Sequence, residues 1–259
     1  MKKLSADLSE IKSQITDNNV FLFFDLDGTL TPIRKKPSYV KLSESMRVLL
    51  KKAAKVKGIS LAIISGRDIK SAKKIVGING IIYSGNHGME LEKNGKRKVL
   101  SNNRTFEKAL AQIRKVLKKE LKPYKGIIVE DKVLTLSVHY RMAEGKTVKQ
   151  IRKTFDAAIA PYMSSKNIAV FNGKKVWEIR PAKTHNKGTI VTMLVGKAQK
   201  TIPIYFGDDV TDEDAFKAIK GKGIGIKVGK STSKSFADLY TENIIDVRKA
   251  LKKIIKLKS

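Results

Sequence analysis

At 259 residues, with 41% hydrophobic and 30% charged side chains, the chain is long and apolar enough to bury a sizeable core, which excludes the disordered classes. The absence of cysteine removes disulfides, thiolate catalysis and cysteine-ligated metals. A formal net charge of +30 attracts anions, whether a phosphorylated metabolite, nucleic acid or an acidic membrane surface.

Met1 to Asn19 has neither the apolar stretch nor the small-residue cleavage site of a secretory leader. No apolar run is long enough to cross a bilayer, so a cytoplasmic chain with no membrane partner is expected. Leu4, Leu8, Ile11 and Ile15 recur at helical spacing and predict a short amphipathic helix. Val20 to Phe24 is wholly apolar and stops at Asp25, the pattern of a strand buried on both faces. Ser43 to Lys57 has helical periodicity and ends at Gly58, and Ile59 to Ile64 is a second buried strand stopping at Ser65-Gly66-Arg67. Asp68 to Val76 predicts a helix and Gly80 to Tyr83 a third strand, so strand and helix alternate as in a doubly wound parallel sheet.

The pattern then changes. Thr105 to Leu121 predicts a basic amphipathic helix, and Gly126 to Glu130 and Val133 to Tyr140 predict paired strands. Thr147 to Ala160 predicts a helix stopped by Pro161, and Ile168 to Asn172 and Lys175 to Ile179 a hairpin turned at Asn172-Gly173. From Lys187 the earlier alternation returns: a helix over Gly188 to Val195, a strand Ile202 to Phe206 ending at Gly207-Asp208-Asp209, a helix from Asp212 to Ile219 and a strand Gly223 to Val228. The expected fold class is α/β, a doubly wound parallel-sheet core (1–103 and 180–259) with an inserted α+β cap domain (104–179). Lysine concentrates at 51–57, 114–125 and 248–258, but Tyr and Phe do not interleave as a base-stacking platform requires. The charge therefore reads as a solvated surface, and nucleic acid is not the expected partner.

Three apolar strands end in polar or acidic residues: Asp25-Leu26-Asp27-Gly28-Thr29, Ser65-Gly66-Arg67 and Gly207-Asp208-Asp209. In an open parallel sheet ligands bind outside the carboxyl ends of the strands, so these ends should share one crevice. If the chain stays extended through Asp27, the side chains of Asp25 and Asp27 lie on one face, and Gly28 then permits a sharp exit. Carboxylates so close repel unless a cation or proton lies between them. Hard oxygen ligands without His or Cys suit Mg²⁺, and Lys187 and Arg67 supply positive charge for phosphoryl oxygens.

These residues resemble the four motifs, in order, of the haloacid dehalogenase (HAD) superfamily: Asp25-Leu26-Asp27-Gly28-Thr29, Ser65, Lys187 and Gly207-Asp208-Asp209. The resemblance implies a HAD-like core in which Asp25 is the nucleophile attacking phosphorus and Asp27 the general acid, then base. It implies that Ser65 and Lys187 hold the phosphoryl group, with Gly66 and Arg67 beside them, and that Asp25, the carbonyl of Asp27 and Asp208 hold Mg²⁺, with Asp209 and Asp212 behind.

Over about Phe21 to Val247 the chain resembles, more narrowly, the trehalose-6-phosphate phosphatases. The resemblance is carried by Ser84-Gly85-Asn86-His87-Gly88-Met89-Glu90, Ser137-Val138-His139-Tyr140-Arg141, Gly173-Lys174-Lys175-Val176-Trp177-Glu178-Ile179-Arg180-Pro181 and Gly207-Asp208-Asp209-Val210-Thr211-Asp212-Glu213-Asp214-Ala215-Phe216. It implies trehalose 6-phosphate as substrate, Arg141 as a phosphate contact, and Glu130, Lys132, His139, Lys174 and Glu178 as cap groups for sugar hydroxyls. It also implies functional coupling to a trehalose-6-phosphate synthase. One departure is Asn186, where the family often has Asp before the lysine. The alternatives are another HAD sugar phosphatase, of the sucrose-phosphate or mannosyl-3-phosphoglycerate type, and a basic nucleic-acid binder. His87 and His185 read as loop residues and Trp177 as packing.

Overall fold

Val20 to Phe24 is apolar throughout because, in the computed structural model of the chain, helices cover both faces of the strand it forms. The structure describes residues 1–5, 8–101, 104–163, 167–196, 200–230 and 234–259. In chain order the strands are β1 (Lys2–Lys3), β2 (Asn19–Phe24), β3 (Ile59–Ile64), β4 (Ile82–Gly85), β5 (Glu90–Lys93), β6 (Lys96–Val99), β7 (Ile128–Asp131), β8 (Leu136–His139), β9 (Ile168–Gly173), β10 (Val176–Pro181), β11 (Thr201–Gly207), β12 (Ile224–Val228) and β13 (Leu239–Thr241). The α-helices are α1 (Lys12–Asp17), α2 (Glu44–Ala53), α3 (Ile69–Val76), α4 (Arg104–Glu120), α5 (Val148–Met163), α6 (Lys187–Val195), α7 (Glu213–Ile219) and α8 (Ile244–Lys258).

Two units divide the chain, Met1–Leu100 with His185–Ser259, and Ser101–Thr184. The passages between them fall a few residues outside the edges read from the sequence. At the second passage β10 keeps its pairing with β9 through Pro181 opposite Ile168, and the Ala182 amide still donates to the Asn167 carbonyl. The first expected edge, 103/104, touches residue 103, which lies outside the described residues.

The first unit holds a sheet in the order β1-β13-β12-β11-β2-β3-β4-β5-β6, parallel from β1 to β4 and antiparallel over β4, β5 and β6. Period-two alternation sorts its side chains. Val20, Leu22, Phe24, Leu61, Ile63, Ile204 and Phe206 pack with Ile15, Met46, Leu50, Val76 and Leu251 from α1, α2, α3 and α8. Phe21, Phe23, Ala62, Ile64 and Tyr205 pack on the opposite side with Ile190, Val191 and Phe216 from α6 and α7. β2 lies between β3 and β11 and is parallel to both, so the sheet grows to one side through β3 and β4 and to the other through β11 and β12. That is a topological switch point, and the residues that follow β2, β3 and β11 gather at its carboxyl edge.

The second unit is an antiparallel sheet, β7-β8-β10-β9, with α4 and α5. Phe106, Leu110, Ile113 and Leu117 recur at helical spacing along α4 and meet Ile151, Phe155 and Ile159 of α5 over Leu136, Val138, Trp177 and Ile179. Trp177 is a packing residue, its ring stacked on Tyr140 at 4.4 Å between centroids and tilted on Phe155 at 5.1 Å.

Three local readings are corrected. The amphipathic helix expected from Leu4 to Ile15 is confined to Lys12–Asp17; Lys2–Lys3 instead pairs parallel with Leu239 and Tyr240, and Leu8 turns the chain at φ +60°. All four apolar residues are buried, so burial and not helix produced their spacing. Pro161 does not stop α5, which runs two residues further to Met163 although proline there gives up the hydrogen bond to the carbonyl four residues back. The β9–β10 hairpin turns at Lys174-Lys175, with Lys175 at φ +67°, while Asn172 and Gly173 remain paired.

Candidate active site

The Asp25 amide donates to the Phe206 carbonyl at 2.9 Å, extending the β2–β11 pairing by one residue and seating Asp25 at the strand tip. The chain then folds back. The amides of Leu30 and Thr31 and the Thr31 hydroxyl all donate to the Leu26 carbonyl, and the Gly28 amide donates to Thr31 at 2.7 Å. Gly28 has φ +100°, and a Cβ there would collide with the Asp208 carboxylate. Glycine is required both for the turn and for the approach of the third strand tip. Gly207 serves likewise, since a Cβ on it would strike the side chain of Asp212.

Lys187 links two of these acids. Its Nζ, almost wholly buried, donates to Asp25 Oδ1 and to Asp212 Oδ1, both at 2.7 Å. Lys187 opens α6, whose N-cap is Asn186. Asn186 Oδ1 accepts the Thr189 amide and Thr189 Oγ1 accepts the Asn186 amide, each at 2.9 Å. The departure from Asp at that position is thus physically neutral, because Asn and Asp cap helices about equally.

Asp212, read from the sequence as a residue behind the metal, is the hub. Oδ1 accepts from Lys187 and from the Tyr205 hydroxyl at 2.7 Å, and Oδ2 accepts the amides of Asp208 at 3.0 Å and Asp209 at 2.9 Å. Four donors fill the acceptor capacity of a carboxylate. Asp209 caps the short helical turn that follows, accepting the Val210 amide at 2.8 Å. Tyr205 was not singled out in the sequence. The available signal was a phenol inside an otherwise apolar strand, which when buried needs a hydrogen-bond partner.

Burial pushes the Asp25 carboxyl well above the usual carboxylate range; Lys187 offsets part of that, and Asp212 and Asp208 add to it. Burial would raise Asp212 too, but the Lys187 ammonium, the Tyr205 hydroxyl and the Asp209 amide outweigh it and hold that carboxyl below its ordinary value. Burial opposes the Lys187 charge, and Asp212 and Asp25 more than compensate, so the ammonium stays protonated. Burial and the nearby acids push the Tyr205 phenol well up, keeping it a neutral donor. The environments thus make Asp212 a fixed anion and Asp25 an acid whose charge needs further positive charge beside it.

Ligand oxygens of Asp25, Asp208 and Asp212 all lie within 4.8 Å of one another. Three hard oxygen donors, without nitrogen or sulfur, fit Mg²⁺. With Asp212 saturated, Asp25 and Asp208 are the carboxylates suited to direct coordination, and Asp212 fixes the Asp208 backbone.

Ser65 is buried; its amide donates to the Ser84 carbonyl at 2.9 Å and its Oγ accepts the Arg67 amide at 3.1 Å. Arg67, expected on phosphate, grips Asp27 through Nε to Oδ2 at 2.6 Å and Nη2 to Oδ1 at 2.8 Å, with Nη1 on the Pro37 carbonyl. In the second unit Lys132 Nζ and Ser137 Oγ donate to Glu178 Oε1 at 2.7 and 2.9 Å, and His139 Nε2 lies 2.7 Å from Glu130 Oε2. Arg141 donates to the Lys174 carbonyl at the hairpin tip. Glu130 on β7 thus meets His139 on β8, and Lys132, just past β7, meets Glu178 on β10.

A family model described as trehalose-phosphatase matches residues 23–243. Trehalose-phosphate phosphatase B of Arabidopsis thaliana is 29% identical over 265 residues, covering 96% of this chain and 70% of that protein. Probable trehalose-phosphate phosphatase 4 of Oryza sativa subsp. japonica is 30% identical over 259 residues, covering 96% and 69%. Among solved structures, the C-terminal domain of C. albicans trehalose-6-phosphate phosphatase superposes with a TM-score of 0.83 at 24% identity, covering 98% of each chain. The Aspergillus fumigatus trehalose-6-phosphate phosphatase superposes with a TM-score of 0.66 at 26% identity, covering 99% of each.

Proposed function

The chain belongs to the trehalose-phosphatase family and is a phosphoric monoester hydrolase, and from that premise we propose that it hydrolyses trehalose 6-phosphate through an aspartyl-phosphate on Asp25. The observation that carries the reading is the buried Asp25 carboxylate at a strand tip, 2.7 Å from the Lys187 ammonium and grouped with Asp208 and Asp212.

In the first step an Asp25 oxygen attacks phosphorus and the bond from phosphorus to the sugar oxygen breaks, while Asp27 gives its proton to that oxygen. In the second, Asp27 takes a proton from water, the water oxygen attacks phosphorus, and the bond to Asp25 breaks, releasing phosphate. Lys187, Ser65 and the Gly66 backbone hold phosphoryl oxygens. Mg²⁺, held by Asp25, Asp208 and the Asp27 carbonyl, would supply positive charge between nucleophile and phosphate. Arg67 holds both Asp27 oxygens, so that pairing must open for Asp27 to carry the proton of the first step, and Arg67 reaches phosphate only by the same release. On the second unit Glu130, Lys132, His139, Lys174 and Glu178 take sugar hydroxyls and Arg141 the phosphate; carboxylates accept and ammonium groups donate, and sugar hydroxyls do both. The reading places the enzyme in the cytoplasm, coupled to a synthase that makes its substrate.

The test is phosphate release in Mg²⁺ from trehalose 6-phosphate, sucrose 6-phosphate, mannosyl-3-phosphoglycerate and glucose 6-phosphate. Trehalose 6-phosphate is expected to give the highest kcat/KM. A preference of about tenfold or more for another ester, equivalent to ~1.4 kcal/mol of transition-state binding, contradicts the substrate assignment.

A further inference from the structure

Glu90 opens β5 and is completely buried, yet the reaction described above does not use it. Its Oε1 accepts the Ile69 amide at 2.7 Å and Asn86 Nδ2 at 3.0 Å, and its Oε2 accepts the guanidinium of Arg97 on β6. Ile69 is the first residue of α3, immediately after the turn Ser65-Gly66-Arg67-Asp68; Asp68 caps that helix through the Ser71 amide. The carboxylate therefore takes a helix N-terminal amide that the cap does not.

Its other partner, Asn86, belongs to a loop folded directly against the same turn. The Asn86 amide donates to the Arg67 carbonyl at 2.7 Å and the His87 amide to the Ser65 carbonyl at 3.0 Å. A Cβ on Gly66 would strike the His87 ring, and one on Gly85 would strike Glu90 Oε1, so only glycine allows the two segments to close on each other. Asn86 and His87 sit at φ +48° and +58°, in the left-handed region, which Asn and His tolerate better than most side-chain-bearing residues and which nearby contacts help to hold. Glu90 supplies such a contact, tying Asn86 to α3 in one carboxylate.

We propose that Glu90 is a positioning residue, which holds the Asn86-His87 loop against Ser65-Gly66-Arg67 and so fixes that turn for the phosphoryl group. The inference rests on the phosphatase reading, because it assumes that phosphate binds at Ser65 and Gly66. The phosphate-binding constant of the turn should respond to Glu90 even though Glu90 never touches phosphate.

The experiment compares wild type with Glu90→Gln for kcat, KM, inhibition by inorganic phosphate and thermal midpoint. The amide keeps the shape but cannot accept from three donors at once. Expected is a rise of about tenfold in both KM and the phosphate inhibition constant, the scale of one lost charge-assisted hydrogen bond, with partial rescue by Glu90→Asp. A lower thermal midpoint with KM and phosphate inhibition unchanged overturns the proposal, leaving Glu90 a stability residue. Should Glu90→Gln not fold, Arg97→Ala, which strips the buried carboxylate of its cation and is itself expected to lower the midpoint, carries the test: weaker phosphate inhibition measured below that midpoint supports it and unchanged inhibition overturns it. Wild-type protein that releases no phosphate from any ester marks failure of the underlying reading, a result distinct from active wild type with an indifferent variant.

Discussion

Replacing Lys187 with methionine keeps most of the buried stem and removes the ammonium that stands 2.7 Å from both Asp25 and Asp212. Asp212 retains the Tyr205 hydroxyl and two backbone amides, but both carboxylates lose the cation that their burial demands. Removing one partner from a buried ion pair costs about 3–5 kcal/mol. At about 2–4 °C per kcal/mol for a chain of this size, the thermal midpoint in EDTA should fall by roughly 6–20 °C. Burial already raises Asp25, and losing the lysine raises it further. A carboxyl whose folded pKa lies above its unfolded value makes stability decline as pH climbs through the interval between the two. The deficit of Lys187→Met should therefore widen as pH rises above the ordinary carboxylate range. Mg²⁺ should recover part of it by restoring positive charge beside Asp25 and Asp208. The assay is thermal unfolding followed by circular dichroism, with and without Mg²⁺. A variant as stable as wild type in EDTA at every pH would refute the electrostatic reasoning, as would a deficit indifferent to pH.

Asp25→Asn should abolish turnover without lowering the metal-free thermal midpoint at neutral pH, since it deletes a buried charge held at a raised pKa; phosphate release and calorimetry check the two halves. Tyr205→Phe keeps the rings packed on Phe23 and Phe216 while removing one hydrogen bond to a charged acceptor, so a loss of about 1.5–3 kcal/mol in urea unfolding is expected. On the acid side Asp212 acts in the opposite sense to Asp25: its folded pKa is depressed, so its stabilisation is full above the ordinary carboxylate range and lost as pH falls through the folded value. Asp212→Asn should flatten that acid limb of the stability profile in EDTA.

The parallel strands were legible because burial on both faces leaves wholly apolar runs, and the acids at their tips stand out against those runs. Edge strands were not. β6 is Lys96-Arg97-Lys98-Val99, exposed throughout, and its charges blunt an open sheet edge instead of marking a strand. β1 and β13 are too short to show a period. Within the site, residue types predicted the cluster but not the allocation of partners. Sequence does not say which acid Lys187 shares, that Arg67 spends its donors on Asp27, or that Asp212 collects four hydrogen bonds. Such choices depend on distances of a few tenths of an ångström between segments far apart in the chain. The glycines come closest to encoding them: Gly28, Gly66 and Gly207 each mark a place where another strand tip or loop presses in.

Phosphorylation of Asp25 is the central event of the proposed chemistry. Acid quenching during turnover of trehalose 6-phosphate, followed by borohydride reduction and peptide mass spectrometry, converts an aspartyl-phosphate to homoserine at the modified position. Homoserine at residue 25, appearing only with substrate and Mg²⁺, is the predicted result. Rapid turnover with aspartate 25 intact and the label on another side chain, or on none, contradicts it.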